Sequence, residues 1–256
     1  HEKSSGQNNL EEEDISNFKK FFCFIICFVP IFLGFIIPVS VLLNFVFQGF
    51  AVIKFQEIFN TTISSITLAL VGSTFVMIVS LLMIVVSTYK SNTFQKTLIF
   101  IASCGYAFPG TILAVGIIVF VGWLNDNIYF HFSYFVGGFF VLIFAYTTRF
   151  LAVGNGAIRS GIIRVHPNLM DANKTMGIGF FTGIKKLIIP LLYTNILVGG
   201  ILVFVDILKE LPITLLLRPF NFETLATYVY QYASDELLEE SSFAALIIIL
   251  AGLGPV

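Results

Sequence analysis

The chain has 256 residues, 57% of them hydrophobic and 11% charged, with a formal net charge of -1. Soluble domains carry about 45–50% apolar and about 25% charged residues, so this composition excludes an ordinary soluble globule and defines an integral membrane chain. The near-zero charge excludes bulk attraction to nucleic acid. The three cysteines, Cys23, Cys27 and Cys104, lie in apolar runs with no second ligand pair beside them.

His1–Lys20 is polar and acidic and lacks the layout of a signal peptide. It is expected to be a linker or tail ahead of a transmembrane domain over residues 21–256. A spanning helix needs about 20 mostly apolar residues. The first such run is Phe21–Phe47, and Pro30 and Pro38 predict a kink or break within it. A polar patch from Gln48 to Asn60 follows, then a second span at Ser64–Ser87. Tyr89–Lys96 reads as a short polar loop. The third span, Leu98–Val121, is interrupted by Phe108-Pro109-Gly110. Trp123–His131 is a loop whose Trp123 and Tyr129 suit a membrane interface.

The fourth span is expected at Phe132–Val153, and a long basic loop runs on from Gly154 to Lys186. The fifth span is Leu187–Leu208, with Pro190 in its first turn, where a missing N–H is harmless. Lys209–Glu240 is mixed in character. Phe243–Val256 begins a sixth span that is cut short, so the sequence is expected to be a piece of a longer protein.

Counting Lys and Arg sets the orientation. With the N-terminus in the cytoplasm, eleven fall inside, including Arg149 on the flank of the fourth loop, and Lys54, Lys209 and Arg218 fall outside. The long basic loop is then cytoplasmic. Within it, Asp171-Ala172-Asn173 is followed by Gly177 and, after Leu187-Ile188-Ile189, by Pro190. Gly177 permits a tight turn, and Asp171 near a helix start complements the helix dipole.

This pattern resembles the cytoplasmic Glu-Ala-Ala loop of ABC importer permeases. Asp171 stands for the Glu, Ala172 matches, and Asn173 replaces the second Ala. The resemblance implies that Asp171, Ala172, Asn173, Gly177 and Pro190 belong to a coupling element that docks on a separate ATPase subunit. The chain has no Gly-x-x-x-x-Gly-Lys-Ser/Thr run of its own, so ATP hydrolysis is expected on that partner and not on this chain.

A second constellation follows the fifth span. Ionisable residues at membrane depth are costly and tend to be functional. Asp206 and Glu210 are spaced i, i+4 and share a helix face, and Lys209 can pair with Asp206 at i, i+3. Pro212 is expected to break the helix just after Glu210. Two readings stay open. The carboxylates line a cation path beside a broken helix, or Asp206, Lys209, Glu210 and Arg218 form a structural ion-pair network.

The run from Asp206 through Lys209-Glu210-Leu211-Pro212 to Leu217-Arg218-Pro219-Phe220-Asn221-Phe222-Glu223-Thr224-Leu225-Ala226-Thr227 resembles the second half of ferric-iron ABC transporter permeases. Phe108-Pro109-Gly110-Thr111-Ile112-Leu113-Ala114 and Arg149-Phe150-Leu151-Ala152-Val153 are similar to the same family. The resemblance covers roughly Tyr106 to Val256; Phe21–Val86 matches in layout only.

It implies an all-α integral membrane fold of the type I importer class, with about six transmembrane helices and a cytoplasmic coupling-helix loop. It also implies an ATP-binding subunit dimer, a periplasmic iron-binding protein and a bacterial inner-membrane location. Asp206, Glu210 and Arg218 are the candidates for the translocation pathway or outer gate. No cofactor is expected, and no residue set is assigned to a metal. The rival readings are an ABC permease for another substrate, such as a polyamine, sulfate or thiamine, and an ion-driven secondary transporter.

Overall fold

A computed structural model describes residues 17–89, 92–127, 138–164 and 179–254. The described residues are almost wholly helical. They comprise α1 (Asn17–Ile31), α2 (Ile37–Gln48), α3 (Phe55–Tyr89), α4 (Thr93–Ser103), α5 (Gly110–Asn127) and α6 (Phe139–Ile162). After the fourth loop come α7 (Phe180–Gly183), α8 (Ile189–Leu208), α9 (Pro212–Leu217), α10 (Leu225–Ser234) and α11 (Leu238–Leu253). Five helical stretches are long and apolar enough to cross a membrane: Phe18–Gln48, Phe55–Thr88, Gly110–Asn127, Phe139–Ile162 and Ile184–Leu208. This is a multi-pass membrane protein.

The core is a three-helix bundle of α3, α6 and α8. Small residues let the backbones close in, as membrane packing requires. A Cβ at Gly199 of α8 would lie 2.6 Å from the Ala157 Cβ of α6 and 2.9 Å from the Met77 Cε of α3. Gly72, at the midpoint of α3, leaves room for Ile207, whose Cδ1 would stand 2.8 Å from an added Cβ, and for Tyr146. At Gly34 and Gly116, by contrast, an added Cβ meets nothing within 4 Å, so close packing within the described residues does not account for them. A second, smaller apolar cluster joins α10 and α11 to the start of α3 through Ile58, Leu225, Tyr228 and Ala244.

Several expected boundaries move. The first span neither breaks nor stops at its prolines. It stays helical through a π-helical segment, Phe32–Ile36, and continues as α2 with Pro38 in its first turn. Pro190 sits the same way, two residues after a second π segment, Ile184–Ile188. The physical reason is common to both. Proline has no N–H and its ring crowds the carbonyl four residues back, and a widened π turn relieves both demands. The N–H of Ile37 then reaches Phe32 O, and that of Ile189 reaches Ile184 O.

α3 begins at Phe55, nine residues before the expected Ser64. The polar residues there are held by hydroxyls bonding back along the helix: Thr61 to Glu57 O at 2.9 Å and Ser65 to Thr61 O at 2.8 Å. α6 runs nine residues past Val153 because its polar residues find partners across the bundle. Asn155 Nδ2 donates to Ser103 Oγ at 3.1 Å, and Asn195 Nδ2 donates to Ala157 O at 3.2 Å. The mixed segment Lys209–Glu240 resolves into α9, α10 and the start of α11, and α11 begins five residues before Phe243.

Candidate functional site

Two helix breaks converge near the middle of the bundle. The first separates α4 from α5. After Ser103 the chain makes a 3-10 turn, Cys104–Ala107, then an extended Phe108 (φ -82°, ψ 138°), and restarts as a helix at Gly110. Pro109 forces this, since the residue before a proline is driven out of the helical region. The break packs tightly on α6: a Cβ at Gly105 would overlap the carbonyl oxygen of Thr148.

The second break, residues 209–211, separates α8 from α9, and Pro212 opens α9 in the first helical turn. Glu210 lies in this break and is 7% exposed. Its Oε2 stands 3.4 Å from Nε of Arg149, midway along α6, and its Oε1 accepts from the Ile213 N–H at 3.3 Å. A Cβ at Gly110 would meet Arg149 Nη1, Glu210 Oε1 (2.8 Å) and the Pro212 Cβ (3.2 Å). Three sequence stretches far apart in the chain thus meet at one point: Phe108-Pro109-Gly110, Arg149 and Glu210-Leu211-Pro212.

Depth follows from packing. Gly72 marks the midpoint of α3 and touches Ile207 and Tyr146. Glu210 and Arg149 are each three residues from those contacts, about one helical turn in sequence. Beside them Tyr146 and Thr214, both fully buried, share a hydrogen bond of 2.5 Å between their hydroxyls. This belt of polar groups crosses the apolar core cluster. A buried pair of this kind contributes little net stability, but losing one partner strands a charge, at a cost of about 3–5 kcal/mol.

The other charges behave locally. Asp206 pairs with Lys209 at 2.8 Å, the expected i, i+3 contact. Arg218 does not join that pair. It bonds the Glu223 carboxylate, the Phe222 carbonyl and the Thr227 hydroxyl. Thr224 and Thr227 form a reciprocal cap at the start of α10. Arg218 therefore clamps the 218–224 loop against α10, and that loop holds Phe220 fully exposed.

Of the two readings left open, the four-residue network does not form as one unit: Asp206, Glu210 and Arg218 each pair with a different residue. The partner missed in the sequence is Arg149. Its place beside polar Asn155, Arg159 and Ser160 made it read as the flank of a loop. The signal available was its occurrence ten residues inside a helix-compatible run.

Asp171, Ala172, Asn173 and Gly177 lie outside the described residues. Pro190 is described, at the start of α8. Among the described residues no group of three or more His, Cys, Asp or Glu converges. A groove of about 430 Å³ between α3 and α8, lined by residues such as Leu70, Met77, Leu197 and Phe204, is almost wholly apolar and lies apart from the ion pairs.

The helix order, the broken third span and the α3–α6–α8 core recur in a membrane chain of a solved ABC transporter. The chain superposes with a TM-score of 0.71, at 15% identity, on a chain of the crystal structure of a bacterial alginate ABC transporter in complex with alginate pentasaccharide-bound periplasmic protein, covering 93% of this chain and 92% of that one. In sequence it is similar to the Fe(3+)-transport system permease protein FbpB 2 of Haemophilus influenzae, 24% identical over 149 residues. That match spans 58% of this chain and 28% of the length of the relative. No family model matches the chain.

Proposed function

We propose that the chain is a permease portion of an ATP-driven ABC importer that carries ferric iron from the periplasm to the cytoplasm. The observation that carries the reading is the coincidence of two independent likenesses. The fold superposes on a chain of a bacterial alginate ABC transporter over nearly the whole chain, and 149 residues are similar in sequence to a ferric-iron transport permease. The Asp206–Thr227 run supports the iron assignment, because that stretch resembles ferric-iron permeases over many consecutive positions.

The proposed assembly places an ATPase dimer on the cytoplasmic side and a periplasmic iron-binding protein outside, in a bacterial inner membrane. Asp171, Ala172, Asn173 and Gly177, with Pro190 at the head of α8, form the proposed coupling element. Its motion reaches the bundle through the π segment and α8. The N-terminus is placed in the cytoplasm on charge grounds. With Arg149 and Lys209 at the level of the helix breaks, ten Lys and Arg fall on the inner side against two outside, Lys54 and Arg218, and the asymmetry persists. ATP hydrolysis is assigned to the partner. Asp206 and Glu210 are proposed to border the pathway, while the contacts of Arg218 favour a role in shaping the outer loop.

The test is uptake of radioactive ferric iron by cells carrying the full-length protein, unaltered or with Asp171→Lys, with ATPase capture measured in parallel. Loss of uptake and of capture together in the variant is expected. Uptake by the unaltered protein with no ATPase bound would point instead to a secondary transporter. ATPase capture without iron uptake would leave an ABC permease for another cargo.

A further inference from the structure

We propose that α5 and α9 form one unit that swings against α6, and that two polar ties, Arg149–Glu210 and Tyr146–Thr214, are the latch that holds it closed. The proposal rests on the importer reading, since a transport cycle needs a bundle with more than one state.

The unit packs at the edge of the core, where its buried Ala114, Ile117, Ile213 and Leu217 join the same apolar cluster as α6. α5 and α9 pack mainly on each other, and each also touches α6, whereas α3, α6 and α8 pack extensively together. The unit joins the rest of the chain on its inner side by the two breaks, residues 104–109 before α5 and 209–211 before α9. Element termini and breaks are where backbone rotation is absorbed when helices move. Both hinges therefore lie at the same place, beside the same residues of α6.

The ties have the chemistry of a latch. Arg149 offers five N–H donors, yet its buried Nε and Nη1 make no hydrogen bond. The pair with Glu210 is held by charge at 3.4 Å, not by a two-pronged fork. A fork fixes geometry, whereas a charge contact tolerates displacement and re-forms readily. The second tie is a single hydrogen bond between two buried hydroxyls. Gly110 completes the device. As the first residue of α5, it stands against both Arg149 and Glu210 with no room for a methyl group. The position of α5 thus depends directly on whether the pair is made.

The test reads the position of the unit without cargo or ATPase, so it stands or falls apart from the importer reading. In the full-length protein, in native membranes and with Cys23, Cys27 and Cys104 replaced by serine, cysteines are placed at Phe139 and Phe222. These rings meet at 4.7 Å, and Phe222 is tied to the end of α9 by its carbonyl, which accepts from Arg218, so the pair joins the start of α6 to the moving unit. A second pair at Ser160 and Asn195, which share a 3.0 Å hydrogen bond between α6 and α8, reports on the core.

Cross-linking by a short bifunctional thiol reagent is followed over time. Arg149→Met is expected to slow the 139–222 reaction roughly tenfold, as the loss of a buried pair implies. The milder Tyr146→Phe should slow it by roughly threefold, as loss of one hydrogen bond implies. The 160–195 reaction should stay unchanged in both. An unchanged 139–222 rate in both variants overturns the latch. Equal changes at both cysteine pairs in Tyr146→Phe also overturn it, because they would mark a looser bundle and not a released unit.

Discussion

Tyr146 of α6 and Thr214 of α9 face each other with no exposed surface, their oxygens 2.5 Å apart. Thr214 also bonds the Glu210 carbonyl through the same hydroxyl. The two helices are joined here by a chain of hydroxyl and carbonyl groups beside an ion pair. Removing one end leaves the other buried without its partner, the costly half of the hydrogen-bond balance. Thr214→Val is therefore expected to destabilise the protein by about 1–3 kcal/mol, read as a lower thermal midpoint in detergent. Midpoints that match the unaltered protein would show that the tie carries no weight.

Arg149 and Glu210 should behave as a unit. Each single neutral substitution strands a charge and is expected to cost about 3–5 kcal/mol. The double substitution Arg149→Met with Glu210→Gln should recover most of that loss. A double-mutant cycle on folded yield and thermal midpoint measures it, and additive losses would refute the pairing.

Gly105 and Gly110 flank one break but should respond differently to alanine. At Gly110 the two nearest obstacles are the ends of flexible side chains and the third, the Pro212 Cβ at 3.2 Å, need give only slightly, so Gly110→Ala can be accommodated by shifting Arg149 and Glu210, at about 1–3 kcal/mol. At Gly105 the obstacle is the Thr148 backbone carbonyl, which cannot step aside. Gly105→Ala should therefore be the more damaging change in membrane-inserted yield. The reverse order would mean that the break does not sit on α6 as described.

Ser65 and Leu225 tie the outer helices to α3. The buried Ser65 hydroxyl accepts from the Leu225 N–H at 2.7 Å, in the first turn of α10. Ser65→Ala removes the acceptor and should cost about 1–3 kcal/mol. Amide exchange at the start of α10 should rise while exchange in α6 stays constant.

Gly177→Pro should abolish transport while leaving membrane insertion intact, if residues 171–190 form the coupling element. Uptake at the unaltered rate by a normally inserted variant would remove Gly177 from that role.

The sequence was most informative where backbone chemistry acts locally. Phe108-Pro109-Gly110 announced its break, and Pro212 announced the other, which opens after Leu208 and takes in Glu210 where the sequence placed it just after that residue. Pro190 was read correctly into a first helical turn, whereas Pro30 and Pro38 were harder, since a helix can widen around a proline when membrane surroundings favour keeping its hydrogen bonds internal. The end of α6 was misplaced because Asn155, Arg159 and Ser160 look like loop residues until Ser103 and Asn195 are brought beside Asn155 and Ala157. The Glu210 partner was illegible for the same reason. Nearest-neighbour spacing pointed to Lys209 and Arg218, whereas the true partner lies 61 residues away on a helix brought near only by the folded bundle. Pairing within one helix turn can be read from spacing, as Asp206 with Lys209 shows; pairing across helices cannot.

The two π segments impose a phase. A π turn holds one residue more than an α turn, and each residue advances the helix by about 100°. Whatever face the chain presents before Ile184 is therefore rotated by about that angle relative to a plain continuation of α8. Deleting a single residue from Ile184–Ile188 would restore an unbroken α-helical count and turn Lys185 and everything N-terminal to it around the bundle, without altering one side chain of α8 itself. Proline at 190 thus works as a setting of azimuth, fixing the compass direction from which the chain enters α8.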